Sequence, residues 1–348
     1  MSDRPLVSIV TPSYNQACFL RRTIDSVLTQ TYSPIEYVVI DGGSTDGSVA
    51  ILRSYGERLT WTSERDRCQA EAINKGFARS HGSIRAFLNS DDVLLPDAVQ
   101  KVVDFFLRHP DCDMLYGRAH YIDEHNAILG FYPTKDFSFD ELKRDCFICQ
   151  PAAFWRTEIA EHIGPFNESL KNAIDYHYWL RMARLGGRMQ HVPDVLACSR
   201  LHKDMGTLTR RHEFYQDILK ACLEETGGIE ETHFHGLWHH LCHEKKSGWP
   251  FNLRRLPRFY ERMAFLHYQW CRNGKSVVRF ARDTIRALLG RLRRHNSRRR
   301  RSELDSSSQA LSYLLDASRC PIPMIPPSIA AGQVQFGEQL FEANSKAG

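Results

Sequence analysis

The sequence predicts an α/β protein with a mostly parallel sheet. Short apolar runs typical of buried strands alternate with amphipathic stretches of helical period through the first two thirds of the chain. Three of these runs end in polar motifs, which are TPSYN at 11–15, DGGSTDG at 41–47 and NSDD at 89–92. Because open α/β sheets bind ligands beyond the carboxyl ends of their parallel strands, the three motifs predict one shared cleft.

The first half of the chain reads as repeated strand and helix units. Apolar spacing predicts a helix over 16–30, with Asn15 placed to cap it. Gly42 and Gly43 permit a tight turn, and we expect Ser44 or Thr45 to cap the helix that follows. The remaining predicted elements are a helix over 46–55, a strand over 59–62, a helix over 69–79, a strand over 83–88 and a helix after Pro96.

The second half of this region has a less regular pattern. Residues 113–116 and 128–132 are typical of strands, and the pattern from 137 to 185 is helical, with a buried-looking segment at 149–154. Asp175 stands where a helix over 176–185 begins, a position that the helix dipole favours for a carboxylate. A strand over 189–195 and a helix over 210–225 complete the predicted domain.

Composition divides the 348 residues into three parts. Gly227 and Gly228 mark a boundary, so we expect a first domain over 1–226, a basic helical extension over 227–301 and a disordered tail over 302–348. Residues 251–301 hold sixteen Lys and Arg against two acidic residues, although the whole chain carries only +5. Basic amphipathic helices bind anionic surfaces, so this segment predicts contact with a membrane surface.

Cysteine usage and the absence of long apolar runs predict where the protein works. The ten cysteines follow no framework spacing, nothing near the N-terminus resembles a signal peptide, and no run reaches the roughly 20 apolar residues that cross a bilayer. We therefore expect a cytoplasmic protein with reduced thiols, held peripherally on the inner face of the plasma membrane.

Five motifs in order resemble the family 2 glycosyltransferases, which have the GT-A fold, over roughly the first 225 residues. They are TPSYN at 11–15, DGGSTDG at 41–47, NKG at 74–76, FLNSDD at 87–92 and DYHYWLR at 175–181. The resemblance implies a Rossmann-like α/β/α sandwich. It also implies inverting transfer of a sugar from a nucleotide diphosphate donor to a glycan or lipid-linked acceptor, as in cell-surface polysaccharide or glycolipid assembly.

The resemblance also implies roles for particular residues. Asp175 would be the catalytic base, Asp91 and His202 would bind the metal, and Asp41 would accept a hydrogen bond from the nucleotide base. Residues implied in binding the nucleotide-sugar are Thr11, Pro12, Tyr14, Asp41, Asn74, Lys75, Asn89 and Asp92.

Elementary chemistry agrees with these roles. Mg²⁺ or Mn²⁺ bridges diphosphate oxygens to one or two carboxylates, for which Asp91 and Asp92 are suitably placed. Such a metal neutralises the departing diphosphate, so the reaction needs only one protein base, which accepts the proton of the acceptor.

Two positions depart from the family pattern. Asn89 stands where the metal motif often has a carboxylate, which weakens the expected metal binding, and His177 stands where a second acidic residue is frequent, which bears on acceptor recognition. These two positions support the alternative of a non-catalytic donor-binding or scaffold protein in a polysaccharide assembly complex.

Other enzyme classes lack their motifs here. A nucleotidyltransferase needs a Gly- and Arg-rich phosphate loop after the first strand, and a Rossmann dehydrogenase needs G-x-G-x-x-G at its first turn. Neither occurs in residues 11–16 or 41–43.

Three weaker signals favour structural interpretations. The lone C-x-x-C at Cys146 and Cys149 indicates buried thiols rather than zinc or redox chemistry, and His235, His239 and His243 lack the spacing of a zinc hydrolase. The arginine run at 298–301 has no recognition module beside it, so nucleic acid is not an expected partner.

Overall fold

A computed structural model describes residues 4–230 and 232–233 of the chain. The strands are β1 (Val7–Ser13), β2 (Ile35–Asp41), β3 (Thr60–Ser63), β4 (Ile84–Phe87), β5 (Val93–Leu94), β6 (Met114–Ile122), β7 (Ile128–Phe131), β8 (Ala153–Arg156) and β9 (Met189–Arg200). The helices are α1 (Ala17–Leu28), α2 (Ser48–Ser54), α3 (Gln69–Phe77), α4 (Ala98–Arg108), α5 (Phe139–Leu142), α6 (Thr157–Ile163), α7 (Ile174–Arg184), α8 (Gly206–Thr209) and α9 (Arg211–Thr226).

In this part of the chain the nine strands form one mixed sheet. Its order is β3-β2-β1-β4-β8-β6-β9-β5, and β7 pairs with β6. The strands β3, β2, β1 and β4 are all parallel, with Ser13 opposite Asp41 and Val10 opposite Phe87. The polar motifs that follow β1, β2 and β4 therefore leave the same edge of the sheet, as the sequence predicts.

Apolar clusters on both faces of the sheet make a three-layer α/β/α sandwich. On one face, buried residues of α1 and α4, such as Leu20 and Val102, belong to a cluster that includes Ile9 of β1. On the other face, Ile73 of α3 and Trp179 of α7 pack in a cluster with Val10. Alternate residues of β1 point to opposite faces, so Ile9 and Val10 belong to apolar clusters on opposite sides of the sheet. The predicted fold class is confirmed.

The helical pattern predicted for 137–185 is wrong in its middle. Residues 153–156 form β8, which lies inside the sheet, antiparallel to both β4 and β6. Ala153, Phe154 and Trp155 are fully buried, and a short apolar run of this kind looks the same in a strand and in a buried helix.

The predicted helix caps are also wrong. Asn15 has φ 51° and does not cap α1, which begins after Gln16, and α2 begins at Ser48, after Gly47, rather than at 46. Asp46 bonds both helix starts, because its Oδ2 accepts from the backbone N–H of Ala17 at 2.8 Å and its Oδ1 from that of Ser48 at 3.1 Å. One carboxylate thus satisfies donors at the N-termini of two helices.

The helix α9 ends at Thr226, and the division of the chain into three parts stays a prediction. Gly227 follows this helix with φ 69°, a left-handed conformation that suits glycine at a helix end. The basic extension and the tail, apart from residues 227–230 and 232–233, lie outside the described residues, as do His235, His239, His243 and the run at 298–301. In the described part of the chain, no helix has the length and apolar character needed to cross a bilayer.

Gly76 brings α3 close to β1, and this contact can be tested. A Cβ at Gly76 would lie 2.3 Å from Val10 Cγ1, so we expect Gly76→Ala to lower the free energy of unfolding by about 1–3 kcal/mol through overpacking. Chemical denaturation measures the loss. In a Val10→Ala background, which removes both Cγ atoms, the same substitution should cost clearly less, and an equal cost in both backgrounds would contradict this packing explanation.

Candidate active site

A cavity of about 880 Å³ opens where the parallel strands end. Its walls come from the loops after β1, β2, β3 and β4, from the start of α7 and from the segment after β9. Of the residues predicted from the sequence, those that line the cavity are Pro12, Tyr14, Asn89, Asp91, Asp92 and Asp175. In the described part of the chain, the residues that line the cavity do not include Thr11, Asp41, Asn74, Lys75 or His202.

Asp91 and His202 meet although 111 positions separate them in the chain. Asp91 Oδ2 lies 2.9 Å from His202 Nε2, and the imidazole is buried against the ring of Phe19, with 4.9 Å between ring centroids. No group of three or more His, Cys, Asp or Glu side chains forms a metal cluster in residues 4–230 and 232–233. A carboxylate and an imidazole fit Mn²⁺ or Mg²⁺ when diphosphate oxygens supply further ligands, since Mg²⁺ binds one or two carboxylates plus substrate phosphates.

Asp92 points into the protein rather than toward its neighbour Asp91. Its Oδ1 accepts from the backbone N–H of Arg200 at 2.8 Å, and Asn89 Nδ2 lies 3.4 Å from its Oδ2. Burial and the adjacent charge of Asp91 raise the pKa of Asp92 well above its usual range, against the effect of these hydrogen bonds. This geometry makes Asp92 a bridge between the β4 loop and β9.

Arg200 completes that bridge, and no motif in the sequence singles it out. The side chain is buried, with Nε donating to the carbonyl of Asp91 and Nη1 to the carbonyl of Asp123, both at 2.7 Å. Its guanidinium lies over the ring of Phe19. Arg200 therefore holds the β4 loop and the β6–β7 turn against the end of β9.

Three amides link the floor of the cavity. Gln69 Nε2 donates to Asn89 Oδ1 at 2.7 Å, Asn89 Nδ2 lies 3.1 Å from Gln150 Oε1, and Gln150 Nε2 donates to the carbonyl of Phe87 at 2.7 Å. Asn89 thus accepts on one atom and donates from the other. A carboxylate could not donate, which gives a physical reason for the amide at this position.

Asp175 lies in the first turn of α7 and faces the cavity. Burial raises the pKa of this carboxyl to about 6, and the hydrogen bond from the backbone N–H of Tyr176 to Oδ1, at 2.8 Å, acts in the opposite direction. A carboxylate with a pKa near neutrality is suited to accept a proton at physiological pH.

Asp41 is fully buried and holds the loop that follows β2. Its Oδ2 accepts from the backbone N–H groups of Gly43 and Ser44 and from Ser63 Oγ, and its Oδ1 accepts from Ser44 Oγ. Four bonds from the protein occupy this carboxylate. The two glycines of the loop, Gly42 and Gly43, line the cavity.

Asp66 lines the cavity near this loop and lies outside the motifs identified in the sequence. Its Oδ1 pairs with Lys75 Nζ at 2.6 Å, and its Oδ2 is buried with no hydrogen-bond partner in the part of the chain that the structure describes. Oδ2 would lie 3.5 Å from a Cβ at Gly42. Burial raises the pKa of Asp66, and Lys75 opposes that effect. The only sequence signal was its place just after a strand.

Of the remaining predicted residues, Tyr14 lines the cavity, whereas Lys75, Asn74 and Thr11 make contacts within the protein. Lys75 also pairs with Glu64, and Asn74 exchanges two hydrogen bonds with the backbone of Phe166. Thr11 Oγ1 lies 3.0 Å from the hydroxyl of Tyr37 inside the protein. Tyr14 remains 63% exposed beside the cavity, where its ring offers a stacking surface.

His177 joins α7 to α9. Its Nε2 lies 3.1 Å from carboxylate oxygens of both Glu224 and Glu225, and its Nδ1 lies 3.1 Å from Arg181 Nη2. The described part of the cavity wall does not include His177, so its contacts place it in the packing of α7.

Cys146 and Cys149 are free thiols in the cavity wall. Burial raises the pKa of both well above the usual range, which keeps them protonated and poor as nucleophiles or metal ligands. The interpretation of this C-x-x-C as packed thiols fits that environment.

Comparisons with known proteins match this chain to glycosyltransferases. Residues 8–164 match the model of the family described as glycosyl transferase family 2. An uncharacterised glycosyltransferase of Rickettsia prowazekii is 27% identical over 265 residues, which are 70% of this chain and 81% of that protein. Chondroitin synthase of Escherichia coli is 31% identical over 52% of this chain, but the match covers 27% of that protein.

Solved structures share the fold at low sequence identity. S. aureus TarS in complex with UDP-GlcNAc aligns over 75% of this chain and 80% of its own, with a TM-score of 0.56 and 16% identity. The mannosyltransferase PcManGT from Pyrobaculum calidifontis, in complex with GDP-Man and Mn²⁺, aligns over 92% of this chain and 82% of its own, with a TM-score of 0.51 and 19% identity. These are GT-A structures, so the GT-A fold expected from the motifs is confirmed.

From the amide network we predict that an acidic residue at position 89 destabilises the folded protein. Asn89→Asp would place an oxygen opposite Gln150 Oε1 and Asp92 Oδ2, so we expect the free energy of unfolding to fall by about 1–3 kcal/mol at pH 8. The loss should shrink at pH 5, because the crowded carboxyl is protonated there and donates again.

Thermal unfolding at the two pH values measures this effect. Asn126→Asp, in the β6–β7 turn, makes the same charge change outside the network and should leave the melting temperature nearly unchanged. A stable Asn89→Asp protein at pH 8 would refute the proposed need for a donor at this position.

Proposed function

We propose that this chain, whose residues 8–164 match the model of glycosyl transferase family 2, transfers a sugar from a nucleoside diphosphate-sugar to an acceptor hydroxyl group, inverting the anomeric carbon. The observation that carries the proposal is the arrangement of one cavity, with Asp175 on its wall and the Asp91–His202 pair at a strand end. The roles of the other site residues are part of the same proposal.

Asp91 and His202 are the residues that would hold a divalent metal. When bound, Mg²⁺ or Mn²⁺ neutralises charge that develops on the leaving diphosphate. Asp92 and Arg200 position this pair from behind, since Arg200 bonds the backbone of Asp91 and the carboxylate of Asp92. The structure of PcManGT in complex with Mn²⁺ supports a divalent ion.

Asp175 acts as the base in this proposal. The acceptor oxygen forms a bond to the anomeric carbon, the bond from that carbon to the phosphate oxygen breaks, and its electron pair leaves with the diphosphate. The proton of the acceptor hydroxyl passes to Asp175. A partly buried carboxyl with a pKa of about 6 is mostly deprotonated near pH 7 and is basic enough to take that proton.

The loops after β1, β2 and β3 would hold the nucleoside. Pro12 and Tyr14 offer a flat wall, and Gly42 and Gly43 let a ligand approach the backbone closely. Asp66 Oδ2, which is left without a protein partner in the described region, would accept from the base or ribose. Asp41, which the sequence suggested for that contact, would act instead by fixing the loop.

The relatives suggest a role in polysaccharide assembly. Chondroitin synthase of E. coli and an O-antigen biosynthesis protein of Myxococcus xanthus, the latter 32% identical over 56% of this chain and 16% of its own length, both carry names from that chemistry. We therefore propose a glycan or lipid-linked acceptor. Membrane contact through 251–301 stays a prediction from the sequence.

The scaffold alternative is less well supported. Its evidence was Asn89 and His177, and each has a structural explanation in the amide network and in the α7–α9 contact. Asp175 and Asp91, on which the proposed catalysis depends, both line the cavity.

Donor binding tests the metal pair directly. We expect one UDP- or GDP-sugar, with Mn²⁺, to raise the melting temperature, because a ligand at a hundredfold excess over its Kd stabilises by about 2.7 kcal/mol. Asp91→Ala should abolish the metal-dependent part of the shift. Asp97→Ala, which removes a surface carboxylate paired with Lys101, is the matched control and should retain it. An equal shift in both variants would contradict the role of Asp91.

Turnover tests the base. We expect Asp175→Asn to lower kcat about 10²- to 10⁴-fold while the donor-induced melting shift persists. In the wild type, kcat/KM should fall about tenfold per pH unit below about pH 6, because the base must be deprotonated and protonation removes it. Both the kcat of Asp175→Asn and the pH dependence of the wild type are measured from the release of nucleoside diphosphate. Asp111→Asn is the exposed control, and normal turnover in Asp175→Asn would exclude the assigned role.

A further inference from the structure

Asp145, in the turn after α5, is a cavity residue that the proposed transfer reaction does not use. The residue is 6% exposed, and its Oδ1 is buried with no hydrogen-bond partner in residues 4–230 and 232–233. Its Oδ2 lies 3.8 Å from Lys135 Nζ. Burial raises the pKa of Asp145 to about 7, against the effect of Lys135. Unpaired buried polar atoms are rare and costly, so this carboxyl needs an explanation.

The start of α7 is joined to α5, the helix that Asp145 follows. The hydroxyl of Tyr176, the residue after Asp175, donates to the carbonyl of Leu142 in α5 at 2.7 Å. Asp145, Asp175 and Tyr176 all line the cavity. A molecule that presents a hydroxyl to Asp175 would therefore have its neighbouring groups near Asp145.

The walls around Asp145 suit a sugar ring. Tyr121, Tyr132 and Ile148 line the cavity beside it, and the hydroxyl of Tyr132 is occupied because it donates to the carbonyl of Cys146 at 2.7 Å. Aromatic and apolar walls with a few fixed polar atoms bind the C–H face of a pyranose and its hydroxyl edge.

A second polar atom on this wall lacks a partner. His233 Nδ1 is buried without a hydrogen bond in the described part of the chain, whereas its Nε2 lies 2.8 Å from the carbonyl of Lys143 and 3.1 Å from the hydroxyl of Tyr176. Within the described residues, the wall next to Asp175 thus carries an acceptor oxygen of Asp145 and a ring nitrogen of His233 that have no hydrogen-bond partner.

We propose that Asp145 binds the acceptor sugar, accepting through Oδ1 a hydrogen bond from a hydroxyl next to the one that attacks. The proposal rests on the proposed transferase function and adds a specificity-determining residue to it. A neutral sugar fits better than a cationic ligand, because Lys135 already supplies the counter-charge.

The test uses the full chain with Mn²⁺, the nucleoside diphosphate of the preferred donor, and methyl glycosides of common neutral hexoses. Saturation-transfer NMR measures glycoside binding at about 20 mM, well above the roughly millimolar Kd of weak ligands. Transfer assays give KM for glycoside and donor separately. The variants are Asp145→Ala and Asp145→Asn, with Asp140→Ala, an exposed carboxylate of α5, as the matched control.

We expect at least one glycoside to bind the wild type and Asp140→Ala. Asp145→Ala should raise the glycoside KM about tenfold or more, and Asp145→Asn should raise it less, since the amide keeps one acceptor oxygen. Donor KM and donor hydrolysis in water should stay within about twofold, because neither needs the sugar contact.

Octyl glycosides separate the two acceptor sources, since only a site for lipid-linked sugars gains affinity from the alkyl chain.

Three results would overturn the proposal. They are an unchanged glycoside KM in Asp145→Ala, a raised donor KM in place of a raised glycoside KM, and no glycoside binding to a wild type that still hydrolyses donor. If the wild type neither binds nor hydrolyses any donor, the proposed transferase function is contradicted. Glycoside binding by the wild type and by Asp145→Ala still tests whether Asp145 contacts a sugar. Melting temperatures show whether each variant is folded.

Discussion

The buried side chain of Arg200 is the contact on which the candidate site depends most. It bonds the backbone of Asp91 and Asp123, and its own backbone N–H donates to Asp92, so the β4 loop, the β6–β7 turn and the end of β9 are held at one point. A buried guanidinium is stable only with such partners. The same contact brings His202, two residues further on, to Asp91. The Asp91–His202 pair is therefore a product of tertiary packing around one arginine.

The polar groups of the site are of two kinds. Some, such as Asp41, Asp92 and Asn89, form all or most of their hydrogen bonds with other protein groups and fix the loops. Others, such as Asp66 and Asp145, keep a buried oxygen without a partner among the described residues. Because an unsatisfied buried oxygen costs free energy, groups of the second kind are the ones expected to meet a ligand.

Much of this arrangement was predictable from local pattern. The alternation of strands and helices, the parallel sheet and the motifs at its edge follow from periodicity and from chain direction, so residues of all three motifs, at 12–14, 42–43 and 89–92, line the same cavity as expected. The errors have two causes. β8 was taken for helix because a three-residue apolar run has no period, and Asp46 was missed as a cap because its partner Ala17 is 29 positions away.

The sequence by itself determined the fold class and the order of the motifs that resemble those of family 2 glycosyltransferases, because these depend on residue types at short spacing. Only the tertiary structure decided what each polar residue faces. It turned Asp92 toward Arg200, enclosed Asp41 in its own loop, placed Asp66 and Asp145 on the cavity wall and buried His177 between α7 and α9. Hydrogen-bond partners tens of residues apart are set by packing, and neither composition nor spacing contains that information.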